Sequence, residues 1–210
     1  MVIQGAGGLG LNAVAVARDM GADRVIVVDR LAARLALARD FGADHVLSAT
    51  ELPTPEQRIE AVRELTGGFG ADIVADFVGY PAVIPEGLRM LRGGGSYLEV
   101  GSIVPGSVFS YDATALVRGN VRLVAVSNYS PWALARALSF LERNLRRFPF
   151  ERVISHVFPL ERLAEGFRQA DWLQQSGEGT RIARAAISMD AGATRLGKED
   201  RTPEPTEGWR

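Results

Sequence analysis

Val2-Ile3-Gln4-Gly5-Ala6-Gly7-Gly8-Leu9-Gly10-Leu11 decides the fold. A short β-rich run meets a glycine cluster, and residues 11–20 then have helical composition, which spells strand, tight turn, helix. Gly21-Ala22-Asp23 stops that helix. Arg24-Val25-Ile26-Val27-Val28-Asp29 follows, a nearly unbroken apolar run of the kind a parallel strand needs when both its faces are covered.

Outward from this core the pattern repeats. A second helix is expected over residues 31–41, closed by Gly42, and His45-Val46-Leu47 makes a brief third strand. Pro53 and Pro55 open a helix to residue 65; 72–78 is a strand, 81–91 a helix and 96–100 a strand, and a less regular stretch ends in a sixth strand at 121–126. Strands alternating with helices across short glycine-containing turns specify an α/β fold built on a doubly wound parallel sheet. A long helix at 131–147, a strand at 153–158, a helix at 160–172 and a strand at 182–189 complete the chain, a second part too small for a core of its own. The polar residues from 190 onward, with Pro203 and Pro205, are expected to be a disordered tail. The expected division is therefore a nucleotide-binding domain over 1–130, a connecting helix over 131–151, a further segment over 152–189 and the tail over 190–210.

Composition narrows the chemistry. The 210 residues are 47% hydrophobic and 23% charged, enough to bury a real core, and 24 basic residues scattered among 25 acidic ones leave no basic face for a nucleic acid. No apolar run is long enough to span a bilayer and no signal peptide is visible, so no membrane partner is expected and the cytosol is the expected compartment. Cysteine is absent, which excludes disulfides, thiolate zinc sites and cysteine nucleophiles. Lys198 is the single lysine, and it lies in the tail. A P-loop, a pyridoxal Schiff base and a Tyr-x-x-x-Lys pair are excluded with it. His45 and His156 sit in strand-like runs and are expected to be packed or hydrogen-bonded rather than metal-binding.

Gly5-Ala6-Gly7-Gly8-Leu9-Gly10 satisfies G-x-G-x-x-G directly after a strand and at the start of a helix, the context of a Rossmann-type dinucleotide site. Gly5 permits the turn, Gly7 lets the backbone approach a pyrophosphate, and Gly10 lets helix pack on strand. The diphosphate would meet amide N–H groups and the positive end of the helix dipole. Asp29 ends the second strand about 20 residues beyond the motif, where its carboxylate can accept hydrogen bonds from the adenosine ribose. The same charge would repel the 2′-phosphate of NADP, so NAD is the expected cofactor. Arg30 complicates this, because an Arg beside that position can pair with a 2′-phosphate.

At this point the sequence resembles the medium-chain, mostly zinc-containing alcohol and polyol dehydrogenases. The likeness rests on the glycine motif, Val27-Val28-Asp29, Arg34-Leu35-Ala36-Leu37-Ala38, Phe41-Gly42-Ala43-Asp44-His45-Val46, Gly93-Gly94-Gly95 before Val100-Gly101, and Phe158-Pro159-Leu160-Glu161. The resemblance implies that the N–H groups of Gly8 and Leu9 hold the pyrophosphate, that Arg34 lies along the adenosine, and that Val78-Gly79 and Val100-Gly101-Ser102 end strands beside the ribose and nicotinamide. It implies that Arg184 returns to the pyrophosphate, with Arg181 as the competing alignment. Family members also carry an N-terminal GroES-like domain that supplies the catalytic zinc. On that pattern this chain, with four residues before Gly5, is expected to be truncated, its C-terminal segment to be a remnant of the catalytic domain, and the zinc ligands to be lacking. The implied parent activity is NAD-dependent oxidation of an alcohol or polyol, with the isolated chain binding NAD(H) without turnover. The resemblance also implies a homodimer through the edge strand near 121–126. A non-catalytic NAD(H)-binding module is the alternative, with a zinc-free quinone reductase and an S-adenosylmethionine-dependent methyltransferase as remoter ones.

Overall fold

In a computed structural model, described for residues 1–102, 105–170 and 184–189, strands and helices alternate as the apolar pattern requires. Val2–Gln4 (β1), Ile26–Asp29 (β2), His45–Ser48 (β3), Ala71–Asp76 (β4), Leu91–Glu99 (β5) and Arg122–Ala125 (β6) form one parallel sheet in the order β3-β2-β1-β4-β5-β6. The helices are Gly8–Asp19 (α1), Ala32–Asp40 (α2), Pro55–Leu65 (α3), Val83–Met90 (α4), Ala113–Gly119 (α5) and Pro131–Asn144 (α6).

The unbroken apolar strands are explained by two cores, one on each face. Ile3 and Val27 pack with Leu11, Val14, Leu35 and Phe41 under α1 and α2, while Val2, Ile26 and Val28 pack with Ile59, Val62, Leu88 and Tyr97 under α3 and α4. Consecutive residues of β1 and β2 thus point into different cores, which is why both strands are apolar up to their last residues, Gln4 and Asp29. Thr54 and Gln57 form a reciprocal capping box at the start of α3, with Pro55 in its first turn. At the far end of α6, Phe140 joins Phe41, Phe148 and Phe150 in an aromatic group, and Asn144 donates to Asp19 at 3.1 Å.

Three local readings are corrected. β5 begins at Leu91 rather than 96, because Leu91 pairs with Ala71 before a register shift. The Gly93-Gly94-Gly95 stretch inside it carries no side chains and so showed no alternation. The irregular stretch contains α5, which buries no residue and left no apolar stripe to read; Asp112 caps it, accepting from Thr114 N–H at 2.8 Å. The strand expected from 153 starts at His156, because Val153 ends a 3-10 turn and is buried in the core under α1 and α2.

The chain divides into two compact units, Met1–Val153 and a second beginning at Ile154. The second pairs His156–Pro159 (β7) in parallel with Ala185–Ser188 (β8), linked in part by the 3-10 turn Leu160–Arg162 and the helix Leu163–Ala170 (α7). Phe158 is its buried anchor, close enough that a Cβ on Gly166 would lie 3.1 Å from its ring. The expected tail over 190–210 lies outside the described residues.

Candidate functional site

β1 lies between β2 and β4, so successive connections leave the sheet in opposite directions and a crevice opens above the carboxyl ends of β1 and β4. The glycine turn forms one wall. Gly5 adopts φ +92°, a left-handed conformation that favours glycine. A Cβ on Gly10 would overlap the Gly5 carbonyl oxygen and lie 2.9 Å from its carbon, whereas a Cβ on Gly7 would meet nothing within 4 Å. Gly5 is thus needed for conformation and Gly10 for packing, while Gly7 faces open space.

α1 starts at Gly8 behind an N-cap, Gly7, that has no side chain to offer, and its first turn contains no acid. The N–H groups of Gly8, Leu9 and Gly10 therefore have no acceptor within the helix, at its positive end. Asp29 is only 9% exposed. Its Oδ2 accepts the Ala6 N–H at 2.7 Å and its Oδ1 the Leu31 N–H at 2.8 Å, tying the end of β2 to the glycine turn. That tie was not foreseen from the sequence. Each oxygen keeps a second lone pair for a ligand hydroxyl. Arg30 is exposed beside it and Arg34 is half-buried in α2; both interact with other groups of the chain.

The loops after β4 and β5 form the other wall. Val78 approaches the turn, its Cγ2 3.0 Å from where a Gly5 Cβ would stand. Gly79, at φ +74°, and Gly101 are pressed backbone to backbone: a Cβ on Gly79 would lie 2.9 Å from the Gly101 carbonyl carbon, and one on Gly101 2.8 Å from Gly79 Cα. Two acids absent from the sequence-based site organise these loops. Asp76 Oδ1 accepts from Val78 N–H at 2.6 Å and Gly79 N–H at 3.4 Å, and Glu99 Oε1 accepts from Ser102 N–H at 2.9 Å. Burial pushes the Asp76 carboxyl up to about 6 against the pull of the Val78 N–H, and the neighbouring Glu99 charge adds to the rise. The available signal was an acid at the last position of each of β2, β4 and β5.

Gly5, Gly7, Gly8, Leu9, Gly10, Asp29, Val78, Gly79, Val100, Gly101 and Ser102 all lie at this carboxyl edge of the sheet. Arg184 belongs to the second unit, where its carbonyl accepts the Ser155 N–H at 3.0 Å, and Arg181 lies outside the described residues. His45 begins β3; His156 begins β7, with Nδ1 2.9 Å from Ser155 Oγ, its ring stacked on Phe158 and its pKa lowered by burial. No group of three His, Asp or Glu side chains is gathered to hold a metal among the described residues, and the sequence contains no cysteine, so the described residues do not fit zinc.

Comparison with known proteins agrees with this architecture. The chain is 35% identical to an L-threonine 3-dehydrogenase of Bacillus velezensis over 167 residues, covering 79% of this chain and 46% of that protein. It is 30% identical to an erythritol/L-threitol dehydrogenase of Mycolicibacterium smegmatis over 166 residues, covering 79% and 44%. An alcohol dehydrogenase of Thermotoga maritima superposes with a TM-score of 0.73 at 33% identity, over 80% of this chain and 45% of that one. The chain thus spans about half the length of the relatives it matches. The profile of one family, described as zinc-binding dehydrogenase, matches residues 8–143, from the first residue of α1 almost to the end of α6. With the glycine turn, the sheet order and these relatives in agreement, the chain belongs to the zinc-binding dehydrogenase family.

Proposed function

We propose that this chain is the NAD(H)-binding part of an NAD-dependent dehydrogenase acting on an alcohol or polyol, and that alone it binds the cofactor without oxidising an alcohol. One observation carries the reading: an uncapped, acid-free helix N-terminus beside Gly7, whose side-chain position is open, with Asp29 fixed at the end of the next strand. The N–H groups of Gly8 and Leu9 hold the diphosphate. Asp29 accepts the ribose hydroxyls with its remaining lone pairs, and its charge disfavours a 2′-phosphate. Arg30 and Arg34 flank the adenosine side, and Val78, Gly79, Val100, Gly101 and Ser102 border the nicotinamide side. The bound nicotinamide supplies hydride acceptance; this chain seats and orients it.

Among the described residues no ligand set for zinc is gathered, so no step is assigned to it; a non-catalytic NAD(H)-binding module is the second reading. No helix among the described residues is long and apolar enough to cross a membrane, in keeping with a cytosolic protein. β6 is exposed along its whole length, with Leu123 and Val124 outward, which supports a homodimer formed by edge pairing. A single monomeric peak in size-exclusion chromatography at high concentration removes the dimer. Isothermal titration with NAD+, NADP+ and S-adenosylmethionine tests the cofactor: NAD+ alone is expected to bind tightly. Preference for either of the others, or robust alcohol-dependent NADH formation by the chain alone, overturns the reading.

A further inference from the structure

Asp76 is 0% exposed, yet its Oδ2 has no hydrogen-bond partner, and neither has the buried Glu99 Oε2. The two residues are register partners on β4 and β5, with their side chains within hydrogen-bonding reach of each other. Two buried carboxylate oxygens without a donor, on acids within reach of each other, are costly as anions. One proton removes both defects at once, because a protonated carboxyl donates where a carboxylate can only accept.

The surroundings offer no other remedy. β1 contributes Gln4, whose amide already donates to Val83 O at 3.0 Å and accepts from the Tyr97 hydroxyl at 3.1 Å. β5 contributes Tyr97, whose hydroxyl burial holds in its protonated form. α4 contributes Glu86, which is bound by Arg58 of α3 at 2.7 Å through both carboxylate oxygens. The Ser102 hydroxyl, a donor buried nearby, makes no hydrogen bond to either acid. No cation is among the groups acting on Asp76.

We propose that Asp76 and Glu99 form a buried proton-binding site whose single shared proton latches the loops after β4 and β5 together, so that proton uptake and dinucleotide binding are coupled. The other oxygen of each acid holds its own loop, through Val78 and Gly79 on one side and Ser102 on the other. With the proton present, the two carboxyls attract and the pressed Gly79 and Gly101 backbones stay in contact. Without it, two like charges confront each other in a low-dielectric setting and push apart the loops they hold. The coupling to the cofactor rests on the NAD(H) reading above; the proton site does not.

The sign follows from linkage. An aspartate whose folded pKa lies above its unfolded one contributes stability that is complete below the unfolded value and is lost as pH rises through the folded value, here about 6. Asp76→Asn imitates the protonated state, since its amide donates to Glu99 while its oxygen still accepts from Val78. The test measures urea midpoints of the full chain and of D76N at pH 5 and pH 8, then titrates NAD+, which does not itself ionise in that interval, in buffers of different ionisation enthalpy. D76N is expected to raise the midpoint by about 1 M at pH 8 and by about half as much at pH 5, which lies between the unfolded and folded values. NAD+ is expected to bind the wild type about tenfold more tightly at pH 5.5 than at 8, with proton uptake that D76N abolishes. An equal D76N effect at both pH values overturns the shared proton. NAD+ binding that takes up no proton overturns the coupling. Absence of NAD+ binding at every pH overturns the cofactor reading and, with it, the coupling, while the urea comparison still decides the proton site.

Discussion

The two walls of the crevice are both closed by buried strand-end acids, and the two are held in different ways. Asp29 on the β1–β2 side receives a backbone N–H on each oxygen, from Ala6 and Leu31. Asp76 on the β4–β5 side receives its backbone N–H groups on one oxygen only, and turns the other toward a second acid. The first wall is fixed by backbone amides on both oxygens of its acid, while the second leaves one oxygen of its acid without a donor.

The largest expected effect breaks the first wall at its backbone. Gly10→Ala drives a Cβ into the Gly5 carbonyl, a backbone clash that only a shift of the turn or of α1 can relieve. It is expected to destabilise the chain by about 3 kcal/mol in urea unfolding and to abolish NAD+ binding in calorimetry. Unchanged stability would mean that the turn yields, and that the first wall is no firmer than the second.

The sharpest contrast is one substitution made in both walls. Asp76→Asn is expected to stabilise the chain at pH 8 by up to about 3 kcal/mol, the free-energy equivalent of moving a carboxyl from 3.8 to about 6, and by about half as much at pH 5, which lies between the two values. Asp29→Asn has the opposite sign. One of the two backbone donors then faces an amide NH2 instead of an oxygen, at a cost of about 2 kcal/mol in the same assay. It is expected to weaken NAD+ binding as well. If both variants shift stability in the same direction at pH 8, the distinction between the walls fails.

How much of this was visible beforehand follows the same division. The first wall was legible because its determinants are local: the glycine spacing, the apolar β2 and the acid closing it all lie in one βαβ stretch, and the structure adds only the two amides that clamp Asp29. The second wall was legible as a pair of strand ends, Val78-Gly79 and Val100-Gly101-Ser102, but not as an acid pair. Asp76 and Glu99 are 23 residues apart in the chain and meet only through the β4–β5 register. Periodicity likewise found the strands that feed two cores and missed α5, which feeds none.

The smallest expected change in stability separates building the first wall from using it. Gly7 has φ −71°, within reach of any residue, and a Cβ there would meet nothing within 4 Å among the described residues. Gly7→Ala is therefore expected to leave the urea midpoint within about 0.5 kcal/mol of wild type, as for a surface position. The vacancy beside Gly7 is where a diphosphate would approach the N–H groups of Gly8 and Leu9, so the added methyl is expected to weaken NAD+ binding about tenfold, a loss of about 1.4 kcal/mol. Gly10→Ala and Gly7→Ala then lose cofactor for different reasons, one by moving the wall and one by occupying the space in front of it. An affinity unchanged in Gly7→Ala, measured by calorimetry at pH 7, would place the diphosphate elsewhere and leave Gly7 as a helix start and nothing more.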